Sequence, residues 1–375
     1  MESYPETDWN LVYMKRMFPD HLNVAAHNQL MKELSERVRA KLATLPEQRI
    51  WSVQLKLVIL PLAFFSLYVL ALVQSIGVWL FMLLYVLMGV TIVLIFANLI
   101  HELCHDNVFR RKSYNEIAYH LFDLIGANSY IWKKRHLILH HKFPNVNDWD
   151  SDVEQSGPII VFPSDEQKRY TRFQHIYFFA LYPLFMLNWV LIRDFRDYFD
   201  SSRIVGRSFE IPTIEYVKLF FFKALNITMY ILIPWLVFGY SFWMALAAFV
   251  LLTISGSLVA MLVLLTPHTN EGNAFPLNEH GLIHQSWFSH QVEATNDVHT
   301  SNWFTRVIMG NFNYHLIHHL FPGISHVYTP EATAVMVEYF HENGIPYKSY
   351  SLWDAVKKHY QLIKKNARYI DTVDL

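Results

Sequence analysis

Two long runs without a charged residue or a histidine constrain this chain most strongly. They cover residues 57–100 and 224–267, and each is 44 residues long. As α-helix, such a run would extend about 66 Å, roughly twice the thickness of a 30 Å hydrocarbon core. Each run is therefore predicted to form two membrane-spanning helices, with turns near residues 74–77 and 238–242, where polar residues or glycine interrupt the run.

The overall composition agrees with a multi-span membrane protein. Of the 375 residues 53% are hydrophobic, and the mean hydropathy is +0.17. The formal net charge of -1 gives no electrostatic support for nucleic-acid binding. The single cysteine, Cys104, excludes a disulfide framework, and the polar, acidic N-terminus is unlike a cleavable signal peptide.

Eight of the twenty histidines fall into three clusters outside these runs. The clusters are His101 and His105; His136, His140 and His141; and His315, His318 and His319. On an α-helix, residues four apart share one face, so each cluster contains a pair suited to a common metal ion. His141 would then lie about 100° further round the helix than His140 and reach toward a neighbouring ion. The sequence predicts a site for one or two metal ions.

A third apolar stretch, residues 176–192, is 17 residues long and contains Pro183 and Asn188. If it crossed the bilayer, three crossings would separate the second histidine cluster from the third, and the two clusters would lie on opposite sides. We therefore expect it to be interfacial or re-entrant. Residues 101–223 contain sixteen Lys and Arg, and the two predicted turns contain none, which indicates a cytoplasmic location for every histidine cluster.

The sequence indicates that a metal binds more directly than it indicates which metal binds. Zinc accepts histidine as readily as iron does, but structural zinc sites usually also use cysteine. Histidine-rich centres with open positions suit oxygen activation at iron. Iron is therefore the preferred metal, and a pair of irons is a hypothesis.

These clusters resemble the histidine boxes of the membrane fatty acid desaturase family. The boxes read HELCHD at residues 101–106, HLILHH at 136–141 and HLIHH at 315–319. The positions of Asn145, Asp150 and Asp152, the FQHIY segment from residue 173 and the HLFPGISHV segment from residue 319 are similar to those of bacterial acyl-chain members. The resemblance covers about residues 57–347.

The resemblance implies an all-α integral membrane protein with four transmembrane helices, as two hairpins, and a cytoplasmic helical cap that carries a non-haem di-iron centre. The eight box histidines match ligand positions of the family. A further ligand is expected upstream of the third box, where His290 is the best match and His268 the weaker one. Either could instead orient a ligand or a bound water.

Three departures from the family pattern bear on double-bond position. His315 stands where many front-end members carry Gln, and Phe109 stands where bacterial members often continue the first box to a further histidine. No His-Pro-Gly-Gly motif of a fused cytochrome b5 domain is found, so the chain is closest to bacterial acyl-chain or front-end-like members without that domain. These differences leave the metal assignment intact.

Charged residues near the boxes have two interpretations each. Glu102 and Asp106 either support the ring nitrogens of the first box or are solvated, and Asp150 and Asp152 are expected to anchor a loop or to accept hydrogen bonds from ligand histidines. A basic group beside the second box either binds a phosphate-bearing headgroup, coenzyme A or an acidic electron donor, or is ordinary positive-inside charge; it comprises Lys133, Lys134, Arg135 and Lys142.

The predicted organisation has five parts. A cytoplasmic N-terminal segment (1–52) precedes the first transmembrane hairpin (53–100). A cap region with boxes 1 and 2 and an interfacial helix (101–222), the second hairpin (223–267) and a cap region with box 3 and the C-terminal tail (268–375) follow. The termini are expected to be cytoplasmic, in the plasma membrane of a bacterium or the endoplasmic reticulum of a eukaryote.

The predicted function is oxygen-dependent desaturation of an acyl chain, carried by coenzyme A or by a lipid. Electrons would come from a separate donor such as cytochrome b5 or ferredoxin, because no flavin, haem or iron–sulfur motif is visible. Acyl-chain or lipid hydroxylation at the same centre is the nearest alternative, and a non-catalytic metal-binding or transport protein is an alternative of another class.

Overall fold

The computed structural model describes residues 18–73, 77–154 and 157–367. The α-helices in these ranges are α1 (Ala25–Leu42), α2 (Ile50–Ala71), α3 (Gly77–Ile95), α4 (His101–Cys104), α5 (Lys112–Tyr119), α6 (Leu121–Leu124), α7 (Ser129–Lys133), α8 (Gln174–Leu181), α9 (Phe185–Asn188), α10 (Asp194–Phe199), α11 (Ile204–Ser208), α12 (Thr213–Ile227), α13 (Phe242–Leu264), α14 (Trp287–Ala294), α15 (His315–Leu320), α16 (Thr329–Glu342) and α17 (Leu352–Asn366).

Short helical segments of other types connect several of these helices. π-Helical segments are Phe96–Ile100, Lys134–His140, Trp189–Arg193, Thr228–Val237 and Phe304–Ile308, and 3₁₀ segments are Glu47–Arg49, Thr171–Phe173 and Tyr182–Leu184. Strands of two residues each are β1 (Asp20–His21), β2 (Asn278–Glu279), β3 (Leu282–Ile283), β4 (Asp297–Val298) and β5 (Ser349–Tyr350). In the first sheet β3 pairs in parallel with β1 and antiparallel with β2, and in the second β4 pairs in parallel with β5.

Five helical segments within the described residues are long and apolar enough to cross a membrane, by length and composition. They are Glu47–Ala71, Gly77–Cys104, Thr171–Ser208, Thr213–Val237 and Phe242–Leu264. Their outer faces carry large apolar side chains, such as Trp79 and Leu62, which are 85% and 64% exposed. Such a surface is stable against hydrocarbon and unstable in water, so the chain is a membrane protein.

Four of these segments correspond to the two predicted helix pairs. The second pair reverses between Val237 and Phe242, where the sequence places a turn. Residues 74–76 of the other predicted turn lie outside the described residues. The remaining candidate, Thr171–Ser208, is not counted as a span from the sequence, and its helix is interrupted by a 3₁₀ turn at Tyr182–Leu184 and a π-helical turn at Trp189–Arg193.

Two glycines permit close packing at the centre of the apolar helices. A Cβ atom on Gly89 of α3 would overlap the carbonyl oxygen of Leu252 on α13, and one on Gly256 would overlap the sulfur of Met186. The backbone N–H of Met186 also donates to Ser257 Oγ at 2.9 Å, which ties the Thr171–Ser208 segment to α13. These contacts hold three elements at distances that larger residues would not allow.

The N-terminal part of the described chain packs on the polar side of the molecule. Leu34 and Val38 of α1 are buried against Met336 and Phe340 of α16. Strand β1 joins β3, so a second contact fixes the segment that precedes α1. The predicted domain boundaries stay predictions, and residues 1–17 of the N-terminal segment lie outside the described residues.

We expect Gly89→Val to destabilise the protein by about 1–3 kcal/mol, because the added methyl groups force α3 away from the backbone of α13. The measurement is the thermal unfolding midpoint of the detergent-solubilised protein. Leu83→Val is the matched control, since Leu83 lies on the same helix and is 50% exposed. Equal midpoints for the two variants would contradict the packing role of Gly89.

Candidate metal centre

Three helical segments carry the predicted ligands to one place. Helix α3 continues through the π-helical turn Phe96–Ile100 into α4, which begins at His101. Helix α7 continues into the π-helix Lys134–His140, and α15 carries the third cluster. π-Helical turns are rare and frequently mark functional sites.

The histidines form two groups, each with ring nitrogens that lie within 4.8 Å of one another. The first group contains five histidines, and the second contains four; they are His101, His105, His136, His141 and His318, and then His140, His268, His315 and His319. The groups adjoin, since the rings of His141 and His319 have centroids 4.6 Å apart. One buried site therefore has donors for two metal ions.

The three histidines of the second box are distributed between the two groups in a different way from the prediction. The sequence pairs His136 with His140, whereas the structure places His136 with His141 in the first group and His140 in the second. The cause is the π-helix, in which the backbone N–H of His141 donates to the carbonyl of His136, five residues earlier, at 3.0 Å. The wider turn brings residues five apart onto one face.

The distances between ring nitrogens fit coordination of a metal ion. The Nε2 atom of His136 lies 3.1 Å from that of His105 and 3.2 Å from that of His141, and His268 Nε2 lies 2.7 Å from His315 Nε2. Two nitrogens bound to one ion at about 2.1 Å, with an angle of about 90–110°, lie roughly 3.0–3.4 Å apart. The first two distances fall inside that range and the third just below it.

Buried nitrogens without a partner support the same conclusion. Among the described residues, neither His101 Nε2 nor His319 Nε2 has a hydrogen-bond partner, although both rings are buried. A buried polar atom left unpaired is costly, and a bound cation removes that cost. The residues present therefore fit metal ions as the missing partners.

Two aspartates orient ligand histidines through the opposite ring nitrogen. His136 Nδ1 donates to Asp152 at 3.0 Å, and His140 Nδ1 donates to Asp150 at 2.9 Å. Donation from Nδ1 leaves the Nε2 lone pair for a metal. Burial opposes protonation of His140, yet the Asp150 carboxylate outweighs burial and raises the pKa of the imidazole.

Two further residues fix histidine-bearing segments, and one of them connects the two groups. Gln291 Oε1 accepts from His319 Nδ1 at 2.9 Å, and its amide group donates to the carbonyl of His141 at 3.2 Å. Asp297 Oδ1 accepts from the backbone N–H groups of His315 and Leu316, both at 2.7 Å. Neither residue belongs to a recognisable motif, so no local sequence signal identifies them.

The structure places the two additional candidates in different surroundings. His268 lies in the second group. His290 lies in neither group: its Nδ1 is 2.9 Å from His21 Nε2, and its Nε2 donates to the carbonyl of Pro144 at 2.8 Å. His290 is directed to the N-terminal segment because it occupies the face of α14 that packs beside β1.

The two acidic residues of the first box differ in environment. Glu102 is 1% exposed, and its Oε1 atom accepts from the backbone N–H of His326 at 3.2 Å, so it is not solvated. Asp106 adopts a φ of 58° and lies 3.8 Å from Lys133 Nζ. Within the described residues, no direct hydrogen bond joins either carboxylate to a histidine of the two groups.

Three of the four basic residues proposed as a docking surface are buried. Lys133, Lys134 and Arg135 are 7%, 8% and 0% exposed. Arg135 lies 2.9 Å from Asp152 and 3.4 Å from Asp197, so it supports the carboxylate that orients His136. Burial and these ion pairs rule out Arg135 as a surface group, and of the four only Lys142 is exposed.

An apolar cavity adjoins the histidines. A cavity of about 60 Å³ is lined by His101, His136, His140 and His315 together with Trp132, whose ring stacks on His136 with centroids 4.6 Å apart. It shares Phe96, Phe185, Trp189 and Leu264 with a second cavity of about 50 Å³, which only apolar side chains and Trp189 line. The site therefore faces an apolar space.

The chain is similar to known fatty acid desaturases. The model of the fatty acid desaturase family matches residues 77–351. An acyl-lipid (8-3)-desaturase of Physcomitrium patens is 30% identical over 71% of this chain, which spans 56% of that protein. The sn-1 linoleoyl-lipid 6-desaturases of Arthrospira platensis and Synechocystis sp. are 28% and 25% identical over 76% and 74% of this chain, and 78% and 76% of their own length.

We expect His268→Ala to lower the metal content, because it removes a donor of the second group, and His290→Ala to leave the metal content unchanged. The measurement is iron per chain by inductively coupled plasma mass spectrometry after equilibration with ferrous iron and gel filtration. Loss of iron in His290→Ala with retention in His268→Ala would show that the sequence order was right.

We expect Gln291→Leu to weaken metal binding by about 10–100-fold, since His319 loses the acceptor that fixes its ring. The measurement is competition for iron with chelators of graded affinity. Gln29→Leu is the control, because Gln29 is an exposed amide on α1. Equal affinities for the two variants would show that Gln291 does not position the ligands.

Proposed function

This chain belongs to the fatty acid desaturase family, and we propose that it inserts a double bond into a fatty acyl chain at two iron ions held by the two histidine groups. The observation that carries the proposal is the convergence of nine histidines into two adjoining groups beside an apolar cavity. Relatives that cover most of the chain are named acyl-lipid desaturases.

The proposed reaction removes one hydrogen from each of two neighbouring methylene groups. Molecular oxygen, two electrons and two protons complete the balance and leave two molecules of water. The iron ions, when bound, would activate oxygen for these hydrogen abstractions. Hydroxylation at the same centre has no support in the named relatives.

The protein's own residues would position the substrate and exclude water from the site. Trp132, Phe96 and Trp189 form an apolar wall beside the histidines, which would hold the two carbons in place and exclude water from a reactive oxidant. Asp150, Asp152 and Gln291 would keep the imidazole rings in one orientation through the reaction.

The shared site supports a four-span topology. His140 and His268 belong to one histidine group, so an even number of crossings must separate them. Helices α12 and α13 supply two. The Thr171–Ser208 segment would then not cross, and its second half fits this role, because Asp194 is buried against Lys223 at 2.6 Å and Asp197 is buried beside Arg135. We propose that it lies at the membrane interface and that the site is cytoplasmic.

The electron donor is proposed to be a separate protein, such as cytochrome b5 or ferredoxin. No flavin, haem or iron–sulfur motif occurs in the sequence. Lys142 directly follows His141 and is exposed, so it offers a positive charge near the centre to an acidic donor. The buried Lys133, Lys134 and Arg135 do not take part.

We expect a host that expresses the chain to accumulate a new unsaturated acyl chain, and a host that expresses His318→Ala to lack it. His318 is a donor of the first group, 3.2 Å from His141, so its loss disrupts the metal site. The measurement is gas chromatography–mass spectrometry of total acyl chains. A hydroxylated chain in place of an unsaturated one, or the same product with His318→Ala, would contradict the proposal.

A further inference from the structure

One buried asparagine contacts the supports of two histidines in the second group. Asn145 lies four residues after His141, is 0% exposed and has a φ of 60°. A residue in this left-handed conformation turns the chain shortly after the second box. Glycine adopts such a conformation most readily, so the feature that asparagine adds at this position is its amide group.

The backbone of Asn145 supports the residue that orients His140. Its N–H group donates to Asp150 Oδ2 at 2.8 Å. The two carboxylate oxygens of Asp150 lie 2.9 Å and 3.0 Å from His140 Nδ1. Asn145 therefore helps to fix the carboxylate that leaves the Nε2 lone pair of His140 for a metal.

The side chain of Asn145 supports His268 in two ways. Its Nδ2 atom donates to the carbonyl of His268 itself at 3.1 Å and to the carbonyl of Ala294 at 3.2 Å. The Ala294 carbonyl also accepts from His268 Nδ1 at 3.3 Å. The amide thus holds both the backbone of His268 and the acceptor that orients its ring.

The direction of these hydrogen bonds is determined by their acceptors. A third carbonyl, that of Ala274, lies 3.0 Å from Asn145 Nδ2. An amide group has two hydrogens, so the three carbonyls share them. The opposite orientation of the amide would place its oxygen against three carbonyl oxygens. The side chain therefore acts as a donor here.

A second buried amide supports the same backbone. Asn273 Nδ2 lies 3.0 Å from the carbonyls of both Pro267 and His268. His268 lies four residues beyond the end of α13 at Leu264, so helical hydrogen bonds do not continue through it. The position of this histidine therefore depends on side-chain amides that reach its carbonyl.

The first histidine group has a separate support. His136 donates to Asp152 at 3.0 Å. The amide of Asn145 donates to three carbonyls, and none of the three belongs to a residue of the first group. Loss of this amide would therefore disturb the second metal position and spare the first.

We propose that Asn145 positions the ligands of the second iron: its amide places His268, and its N–H group places His140 through Asp150. The proposal rests on the proposed di-iron centre. It gives Asn145 no contact with the substrate or with iron, so Asn145 is a positioning residue. Occupancy of the second iron position then depends on a side chain that the first position does not need.

The test compares the unaltered full-length chain with Asn145→Gly, both purified in detergent and equilibrated with graded concentrations of ferrous iron-57. Glycine keeps the left-handed conformation and the N–H group and removes only the amide. We expect the first iron to bind as tightly as in the unaltered chain. We expect the second iron to bind about 10–100-fold more weakly, because His268 loses its support.

Mössbauer spectroscopy after oxidation gives a signature that a general loss of stability would not produce. The iron concentration is one that fills both positions of the unaltered chain. Under this condition we expect Asn145→Gly to hold one iron per chain without magnetic coupling. A partly unfolded protein would instead lose both irons together, and that result would contradict the proposal.

A second variant separates hydrogen-bond donation from the filling of space, and it decides the question if Asn145→Gly does not fold. Asn145→Asp keeps the shape of the side chain, and aspartate also tolerates the left-handed conformation. A carboxyl group donates at most one hydrogen, whereas the amide donates two. We expect the second iron to bind about threefold more weakly or worse. An affinity equal to that of the unaltered chain would overturn the proposal.

Asn311→Gly is the matched control. Asn311 also has a left-handed backbone, with a φ of 62°, and its Nδ2 donates to one carbonyl, that of His326, at 3.0 Å. His326 belongs to neither histidine group, so we expect both irons to bind as in the unaltered chain. Equal weakening of the second iron by Asn311→Gly and Asn145→Gly would contradict the specific role of Asn145.

The failures are distinguishable. Two tightly bound and coupled irons in Asn145→Gly, or loss of the first iron before the second, would overturn the role of Asn145 and leave the di-iron centre intact. Fewer than two irons in the unaltered chain at saturating iron would instead overturn the proposed centre.

Discussion

The structure depends on a set of buried imidazole rings that come together only if something compensates their burial. Nine histidines converge, and each is buried or partly buried. Their nitrogens cannot all satisfy one another, because Asp152, Asp150 and Gln291 already accept from Nδ1 of His136, His140 and His319, which leaves the Nε2 lone pairs of these three rings free. Bound cations would accept the lone pairs of these ring nitrogens and so stabilise the arrangement. The same cations would couple metal binding to the packing of the polar side of the molecule.

The elements around the centre are arranged to keep those rings in place. Arg135 supports Asp152 from within the protein, and Asp297 fixes the start of α15 through two backbone N–H groups. Each contact supports a histidine that a helical segment carries, and positions on helices hold a site more precisely than mobile loops do. Close packing of α3 against α13 through Gly89 gives the first box a fixed base. The site is thus built on the apolar helices and completed by the polar ones.

The apolar helices and the clusters of box histidines can be recognised in the sequence, because both depend on short-range patterns. A 44-residue uncharged run and a histidine pair at helical spacing can be read directly. The division of the second box could not be read, since it depends on a π-helix that shifts His141 by one position relative to an α-helix. The choice between His268 and His290 depends on which face of α14 meets β1, a contact between residues far apart in sequence. The burial of Arg135 likewise depends on aspartates brought from other segments, and Gln291 has no motif to mark it.

The central claim is that the two histidine groups hold two irons in one centre. Mössbauer spectroscopy of the purified chain, equilibrated with iron-57, tests it most directly. We expect two irons per chain whose spins are coupled after oxidation, and the loss of that coupled signal with His318→Ala. One iron per chain, or two irons without magnetic coupling, would contradict it.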